Sequence, residues 1–226
     1  MARDFGTSDE VVLNELYVSV QGEGTRAGQP CVFIRLTGCK LRCSWCDTSY
    51  AFTEGGRRSV SALVDEVLES GPRLVLLTGG DPLEQPGCLP LASELCDRGC
   101  EVLIETGGHE DTSALDPRVV RILDVKCPAS GMQSRNRLEN LALLRARDEV
   151  KFVVADGADL EFALGIVRDH GLAERGCALL FSPVHGVFDP AELSAWLVTH
   201  AGILGPQARL NVQLHKLIWP RAERGV

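Results

Sequence analysis

The chain has no apolar run approaching the roughly 20 residues that a membrane-spanning helix needs, which argues against a helical membrane protein. Positive charge is scarce: 23 Lys and Arg face 31 Asp and Glu, a net charge of -8. That balance argues against a protein that grips nucleic acid independently of sequence through a basic face. No low-complexity segment and no repeat of solenoid period interrupts the chain. It opens on Met1 to Glu10, polar and mixed in charge, with no secretory apolar segment. The nine cysteines are odd in number and scattered over 226 residues, so a disulfide framework is not expected. Together these absences predict a protein of the reducing cytoplasm.

What is present fits one domain over residues 1–226. A 45% hydrophobic content at this length can bury a sizeable core. The most informative stretch is Cys39-Lys40-Leu41-Arg42-Cys43-Ser44-Trp45-Cys46, three thiols at C-x3-C-x2-C spacing. Cysteine binds metal as thiolate, and four such ligands ordinarily hold a cubane iron–sulfur cluster or close a structural zinc site. Three ligands leave one iron free to take a small molecule through an amine and a carboxylate. A zinc site would need a fourth ligand. The nearest earlier candidate, Cys31, lies in the apolar run Cys31-Val32-Phe33-Ile34, where it reads as a small buried hydrophobe.

Read in order, residues 13–20 suggest a strand running into the tight Gln21-Gly22-Glu23-Gly24 loop, and residues 31–37 a second strand ending one glycine before the cysteine loop. Arg35 inside that apolar strand needs an anionic partner, either a ligand or a structural acid. Val60, Leu63, Val64, Val67 and Leu68 recur at helical spacing between Ser59 and Gly71-Pro72. Further strands are predicted over 73–77, 101–106, 121–126, 150–154, 178–182 and 209–214, and helices over 89–98, 136–147, 160–170 and 191–200. Alternating β and α units imply parallel strands, and about six of them suit a partial barrel better than a closed eight-fold one. Polar residues gather at the strand ends: Thr78, Glu105, Asp124, Lys126, Lys151, Ser182 and His215. In such a fold they face one rim, and the glycine pair Gly79-Gly80 leaves bare backbone beside it.

The spacing of Cys39, Cys43 and Cys46 resembles that of radical S-adenosylmethionine (SAM) enzymes. With Val20-Gln21-Gly22-Glu23-Gly24, Phe33-Ile34-Arg35, Asp47-Thr48, Thr78-Gly79-Gly80-Asp81-Pro82-Leu83 and Gln213-Leu214-His215-Lys216, the joint pattern resembles the 7-carboxy-7-deazaguanine synthases, from about residue 12 onward. The resemblance implies an α/β fold, a radical SAM partial (β/α)6 barrel with parallel strands and outer helices. It implies a lyase of the route to queuosine and other 7-deazapurines that turns 6-carboxy-5,6,7,8-tetrahydropterin into 7-carboxy-7-deazaguanine with loss of ammonia. A [4Fe-4S] cluster on Cys39, Cys43 and Cys46 would reduce SAM to a 5′-deoxyadenosyl radical, which takes a hydrogen from C6 and later returns it. Val20, Gln21, Gly22, Glu23, Arg35, Thr78 and His215 would meet the substrate. Gly79, Gly80, Glu105, Asp124, Val125, Lys126, Ser182, Pro183 and Val184 would hold SAM, and Thr48 a magnesium ion. A reductant protein such as flavodoxin or ferredoxin, a homodimer, a cluster loop over 38–50 and a C-terminal segment, 216–226, near the active site belong to the same expectation.

One departure stands out: the superfamily's glycine–glycine–glutamate reads Gly79-Gly80-Asp81 here, a carboxylate shorter by one methylene. Two rival functions remain compatible with the cysteines. Another radical SAM enzyme, such as a glycyl-radical activase, would share the cluster and the SAM loop without needing Glu23, Arg35 and Thr48 together. A non-catalytic iron–sulfur carrier or zinc module would need four cysteine ligands and no SAM.

Overall fold

The computed structural model describes residue 5, residues 7–222 and residues 224–226. Met1 to Asp4 and Gly6 of the polar opening stretch, and Glu223 of the C-terminal segment, lie outside the described residues. Nine strands form one open sheet: β1 (Glu10–Val20), β2 (Pro30–Leu36), β3 (Gly56–Ser59), β4 (Leu74–Gly79), β5 (Glu101–Thr106), β6 (Val120–Asp124), β7 (Glu149–Val154), β8 (Ala178–Pro183) and β9 (Ala208–Leu210). Their spatial order is β3-β1-β2-β4-β5-β6-β7-β8-β9. From β2 to β9 every neighbouring pair is parallel, while β1 runs antiparallel to both β2 and β3. The α/β class with a parallel sheet is therefore as the alternation of elements implied.

The two-residue period of a strand divides its side chains between two faces. On one face Val32, Ile34, Leu36, Val75, Leu77, Val102 and Ile104 pack under α1 (Val60–Glu69) and α2 (Cys88–Asp97). Leu123, Val150, Phe152, Val154, Leu179 and Phe181 continue that layer, with α3 (Gly157–Asp169) and α4 (Pro190–Leu204) contributing Leu160, Ala163, Leu164 and Leu193 to the same core. Each fully buried Leu, Ile or Phe there contributes about 1.5–3 kcal/mol of transfer free energy. The alternate residues, Phe33 and Arg35, Leu76 and Thr78, Ile122 and Asp124, Lys151 and Val153, Leu180 and Ser182, face a cavity on the other side.

Helix limits follow their caps. The Ser59 side chain accepts the N–H of Ala62 to open α1, and Asp156 and Asp189 do the same for Asp159 in α3 and Ala191 in α4. Two expectations need correction, and one strand was not foreseen. Residues 136–147 carry a helical pattern of leucines but form only a 3-10 turn over Leu138–Leu143. Asn136 exchanges two hydrogen bonds with the Lys126 backbone, and Asn140 donates to the Gly108 and Glu110 carbonyls. These long-range anchors fix the segment as a connector, so no α-helix separates β6 from β7. The strand predicted over 209–214 ends at Leu210, beyond which Leu214 donates its N–H to Gly22 and α5 (Leu214–Ile218) begins. Edge strand β3 carries Arg57 and Arg58 and no apolar alternation, which is why no sequence pattern announced it.

Candidate active site

Beyond the carboxyl ends of the parallel strands lies a cavity of about 350 Å³. The Cys39, Cys43 and Cys46 loop forms one wall, strand residues the floor, and the loops after β1 and β9 the opposite side. Glycines make the close approach possible. A Cβ on Gly80 would run into the Gly38 carbonyl oxygen, and one on Gly79, which sits at φ 159°, into the Leu36 carbonyl. The chain after β4 can therefore lie directly against the cysteine loop only because both residues lack a side chain.

All three motif thiols face the cavity, partly exposed, and the other six cysteines line none of it. Cys31 is fully buried under the sheet, where burial pushes its thiol up to about 12, so it acts as the small hydrophobe its sequence context implied. No fourth thiol joins these three among the described residues, which fits a cluster held by three cysteines. Burial also raises the Cys39 thiol to about 12. Thr48 lies beside this loop, its Oγ1 3.8 Å from Cys46 Sγ and 3.5 Å from the Gly79 carbonyl.

The charged floor is organised by Lys151. Its buried ammonium donates to Glu105, lies 3.2 Å from Glu23 Oε2 and 3.8 Å from Asp124 Oδ2. Burial alone would lower its pKa, but the three carboxylates lift it well above the ordinary lysine value. Glu105 responds in the opposite sense: burial pushes it up, and the Lys151 charge, with hydrogen bonds from Lys151 and Thr78, brings it below the usual value. Asp124 Oδ2 accepts from Lys126 Nζ at 2.8 Å, whereas its Oδ1 is buried with no partner. An unpartnered buried carboxylate oxygen, in a residue that lines the cavity, is an acceptor to which a polar ligand could donate.

Glu23 holds the opposite wall. Its carboxylate accepts from Gln213 Nε2 at 2.9 Å and Asn211 Nδ2 at 3.1 Å as well as from Lys151, and Asn211 also donates to Ser182 Oγ at 2.7 Å. Gly22 sits so close to His215 that a Cβ would meet the ring nitrogen Nδ1, and burial lowers the His215 pKa toward the neutral imidazole. Arg35 points to the cavity with an acid behind it: Nε donates to Glu15 Oε2 at 2.8 Å, and a terminal nitrogen to the Tyr17 hydroxyl at 3.2 Å. Of the two alternatives read from its strand context, the structural acid is present as Glu15, and the guanidinium also lines the cavity.

Of the residues singled out by sequence, Gln21, Gly22, Glu23, Arg35, Thr78, Gly79, Gly80, Glu105, Asp124, Lys126, Ser182, Pro183, Val184 and His215 line this cavity together with Thr48 and the three cysteines. Two do not. Val125 is packed in the core beneath the helices, its N–H bonded to the Lys151 carbonyl. Val20 pairs with Pro30 at the end of the β1–β2 ladder and stays outside the cavity lining. Tyr17, Asn211 and Gln213 carry the site without having been assigned to it. Their signal was weak, a tyrosine in an ordinary strand and two amides inside the strand predicted over 209–214. The Asp81 carboxylate, the shortened one, accepts from Thr106 Oγ1 and the Gly107 N–H at 2.8 Å each and from the Leu83 N–H at 3.1 Å. It ties the loops after β4 and β5 together.

The family profile of the Radical SAM superfamily matches residues 33–125, from β2 through the cysteine loop to the end of β6. A 7-carboxy-7-deazaguanine synthase from Koribacter versatilis is 40% identical, over 95% of this chain and 99% of that protein. The chain belongs to the 7-carboxy-7-deazaguanine synthase family. A second such synthase, from Chlorobaculum tepidum, is also 40% identical, over 97% of this chain and its whole length. Among solved structures, QueE from Escherichia coli superposes with a TM-score of 0.68 at 23% identity, covering 91% of this chain and 95% of that one. Streptococcus suis SuiB bound to S-adenosylmethionine superposes at 0.58 and 10% identity over 82% of this chain and 51% of that one, a likeness of fold alone. As a radical SAM enzyme, this 7-carboxy-7-deazaguanine synthase relative takes a [4Fe-4S] cluster and SAM, and the three motif thiols and Asp124 line its cavity.

Proposed function

We propose that the chain converts 6-carboxy-5,6,7,8-tetrahydropterin to 7-carboxy-7-deazaguanine with loss of ammonia, in 7-deazapurine biosynthesis. The observation that carries this reading is the arrangement of one cavity. The three cluster thiols, the acid Glu23 and the cation Arg35 all line it, and its volume falls in the small-molecule range of about 300 to 1,000 Å³. A radical enzyme acting on a partner protein would have no use for that paired acid and base.

In this reading Glu23 uses its remaining lone pair to accept from the amino-pyrimidinone edge of the substrate. Gln213, Asn211 and Lys151 keep it ionised and aimed. Arg35, backed by Glu15, offers its other edge to the substrate carboxylate. The Thr48 hydroxyl, which lines the same cavity, would ligate a magnesium ion that orients the same carboxylate. Gln21, Thr78 and the neutral imidazole of His215 complete the substrate wall, and Gly79, Gly80, Glu105, Asp124, Lys126 and residues 182–184 the SAM wall. When bound, the cluster and SAM supply the one-electron chemistry; the protein positions substrate and excludes water. The electron would come from a low-potential carrier such as flavodoxin or ferredoxin, and the working unit would be a homodimer. Lys216 and Val226 line the cavity, Lys216 pairs with Asp47 and Arg224 with Glu54, which supports a C-terminal segment lying near the active site.

The test is anaerobic. Protein with reconstituted cluster is given SAM, a low-potential reductant, magnesium and 6-carboxy-5,6,7,8-tetrahydropterin, and the mixture is analysed by mass spectrometry. 7-carboxy-7-deazaguanine is expected, and Cys43→Ala should abolish it. Cleavage of SAM without that product would overturn the substrate assignment.

A further inference from the structure

His109 and Glu84 belong to none of the groups assigned above, yet both are buried beside the cluster loop. The His109 side chain is 2% exposed and that of Glu84 3%. His109 Nε2 lies 2.8 Å from Glu84 Oε1. The same oxygen accepts the backbone N–H of Lys40 at 2.5 Å, and Lys40 follows Cys39 directly. On its other side the imidazole faces Asp81, Nδ1 standing 3.4 Å from Oδ2 with no hydrogen-bond partner. Three loops therefore meet at one ring: the turn after β4 that holds Asp81 and Glu84, the loop after β5 that holds His109, and the cysteine loop. Glu84, His109 and Glu110 lie close enough together to suggest a cation site. The donors already there, the Lys40 amide on Glu84 and the Lys40 ammonium on Glu110 at 2.5 Å, make it a hydrogen-bonded bridge instead.

The cysteine loop has irregular backbone, so its amides need acceptors supplied from outside it. A buried carboxylate that serves the Lys40 amide needs a further donor to hold its rotamer, and His109 Nε2, 2.8 Å away, can supply it. We propose that Glu84 and His109 are positioning residues of the reaction: they fix the cluster loop, at the residue after Cys39, against the Asp81 loop that carries the SAM-side glycines. This rests on the radical SAM reading above.

The two ring nitrogens can be separated experimentally. A glutamine amide can take the place of Nε2 and an asparagine amide that of Nδ1. The readouts are the rate at which the reconstituted cluster is lost to an iron chelator, and the change in the electron paramagnetic resonance signal of the reduced cluster when SAM is added. Glu84→Leu and His109→Asn are expected to lose cluster about 10-fold faster than wild type and to show an altered SAM response, the scale usual for groups that orient metal ligands. His109→Gln and Glu84→Gln, which keep the donor and the acceptor, are expected to stay within about twofold of wild type. Equal lifetimes in all four variants, or equal loss in His109→Gln and His109→Asn, would overturn the proposal, as would equal loss in Glu84→Gln and Glu84→Leu. A wild-type protein whose cluster ignores SAM would overturn the functional reading itself.

Discussion

Lys151 shows what a single side chain contributes here. Its ammonium compensates carboxylates on β5 and β6 and in the loop after β1, 128 residues away in the case of Glu23. Replacing it by Met leaves those acids buried and facing one another, so Lys151→Met is expected to destabilise the apoprotein by about 3 kcal/mol, read as a lower urea midpoint. Glu23→Gln and Arg35→Ala touch the ligand side of the same cavity. Both should assemble the cluster normally and lose substrate turnover by at least about 100-fold; retained turnover in both would refute their assignment to the substrate. In the sequence Lys151 was visible as one of the polar residues expected along the strand-end rim, but the acids it would meet were not. Asn211 and Gln213 were less visible still, since nothing local says that an amide faces a glutamate some 190 positions earlier.

At the scale of the element, the two helices of the first half are specified locally and held by packing. Ser59 caps α1, so Ser59→Ala is expected to cost about 1 kcal/mol. Leu91 of α2 is fully buried against the sheet, and Leu91→Ala is expected to cost about 3 kcal/mol through lost transfer energy and the cavity left behind. Urea unfolding of both variants checks the ranking; a larger effect for the cap would mean that packing of this layer has been overrated. Periodicity announced these helices because their buried faces repeat at i, i+3 and i+4. It misled over residues 136–147, where leucines recur at helical spacing but Asn136 and Asn140 are committed to distant backbone. It was silent over β3, whose polar residues pair with β1 at the sheet edge.

For the molecule as a whole, the acid balance gives a pH signature of defined sign. Glu105, Glu84 and Asp47 all titrate below their ordinary values, because the charges and donors around them outweigh burial. The stability they contribute is present above the ordinary carboxylate range and is lost as pH falls through their lowered values. Asp81 opposes this, since burial raises its pKa and its contribution weakens as pH rises through that value. His215, lowered by burial, costs stability only below its ordinary 6.5, where the unfolded chain takes up the proton first. The urea midpoint of the apoprotein is therefore expected to be flat between about pH 7 and 8, to slope gently downward below 6.5 and to fall steeply below about 4.5; above about pH 9 it should decline again, because the unfolded thiols ionise while burial keeps Cys31 and Cys39 protonated up to about 12. Lys151→Met, which removes the main charge that lowers Glu105, should flatten the steep limb; an unchanged slope would mean that the buried network does not govern acid stability.

The sequence by itself determined the elements whose evidence is local: the three-cysteine loop, the glycines that bring β4 against it, the alternating strands of a parallel sheet, and the caps of the helices. These follow from side-chain periodicity and backbone freedom, which act over a few residues. The tertiary structure alone decided which polar groups share the cavity and which are spent holding it together. That is why Val125 lies in the core, Arg35 leans on Glu15, Asp81 ties two loops and His109 reaches the cluster loop through Glu84. A buried charge needs partners within a few ångströms, and only the folded sheet brings residues so far apart in the chain within that reach.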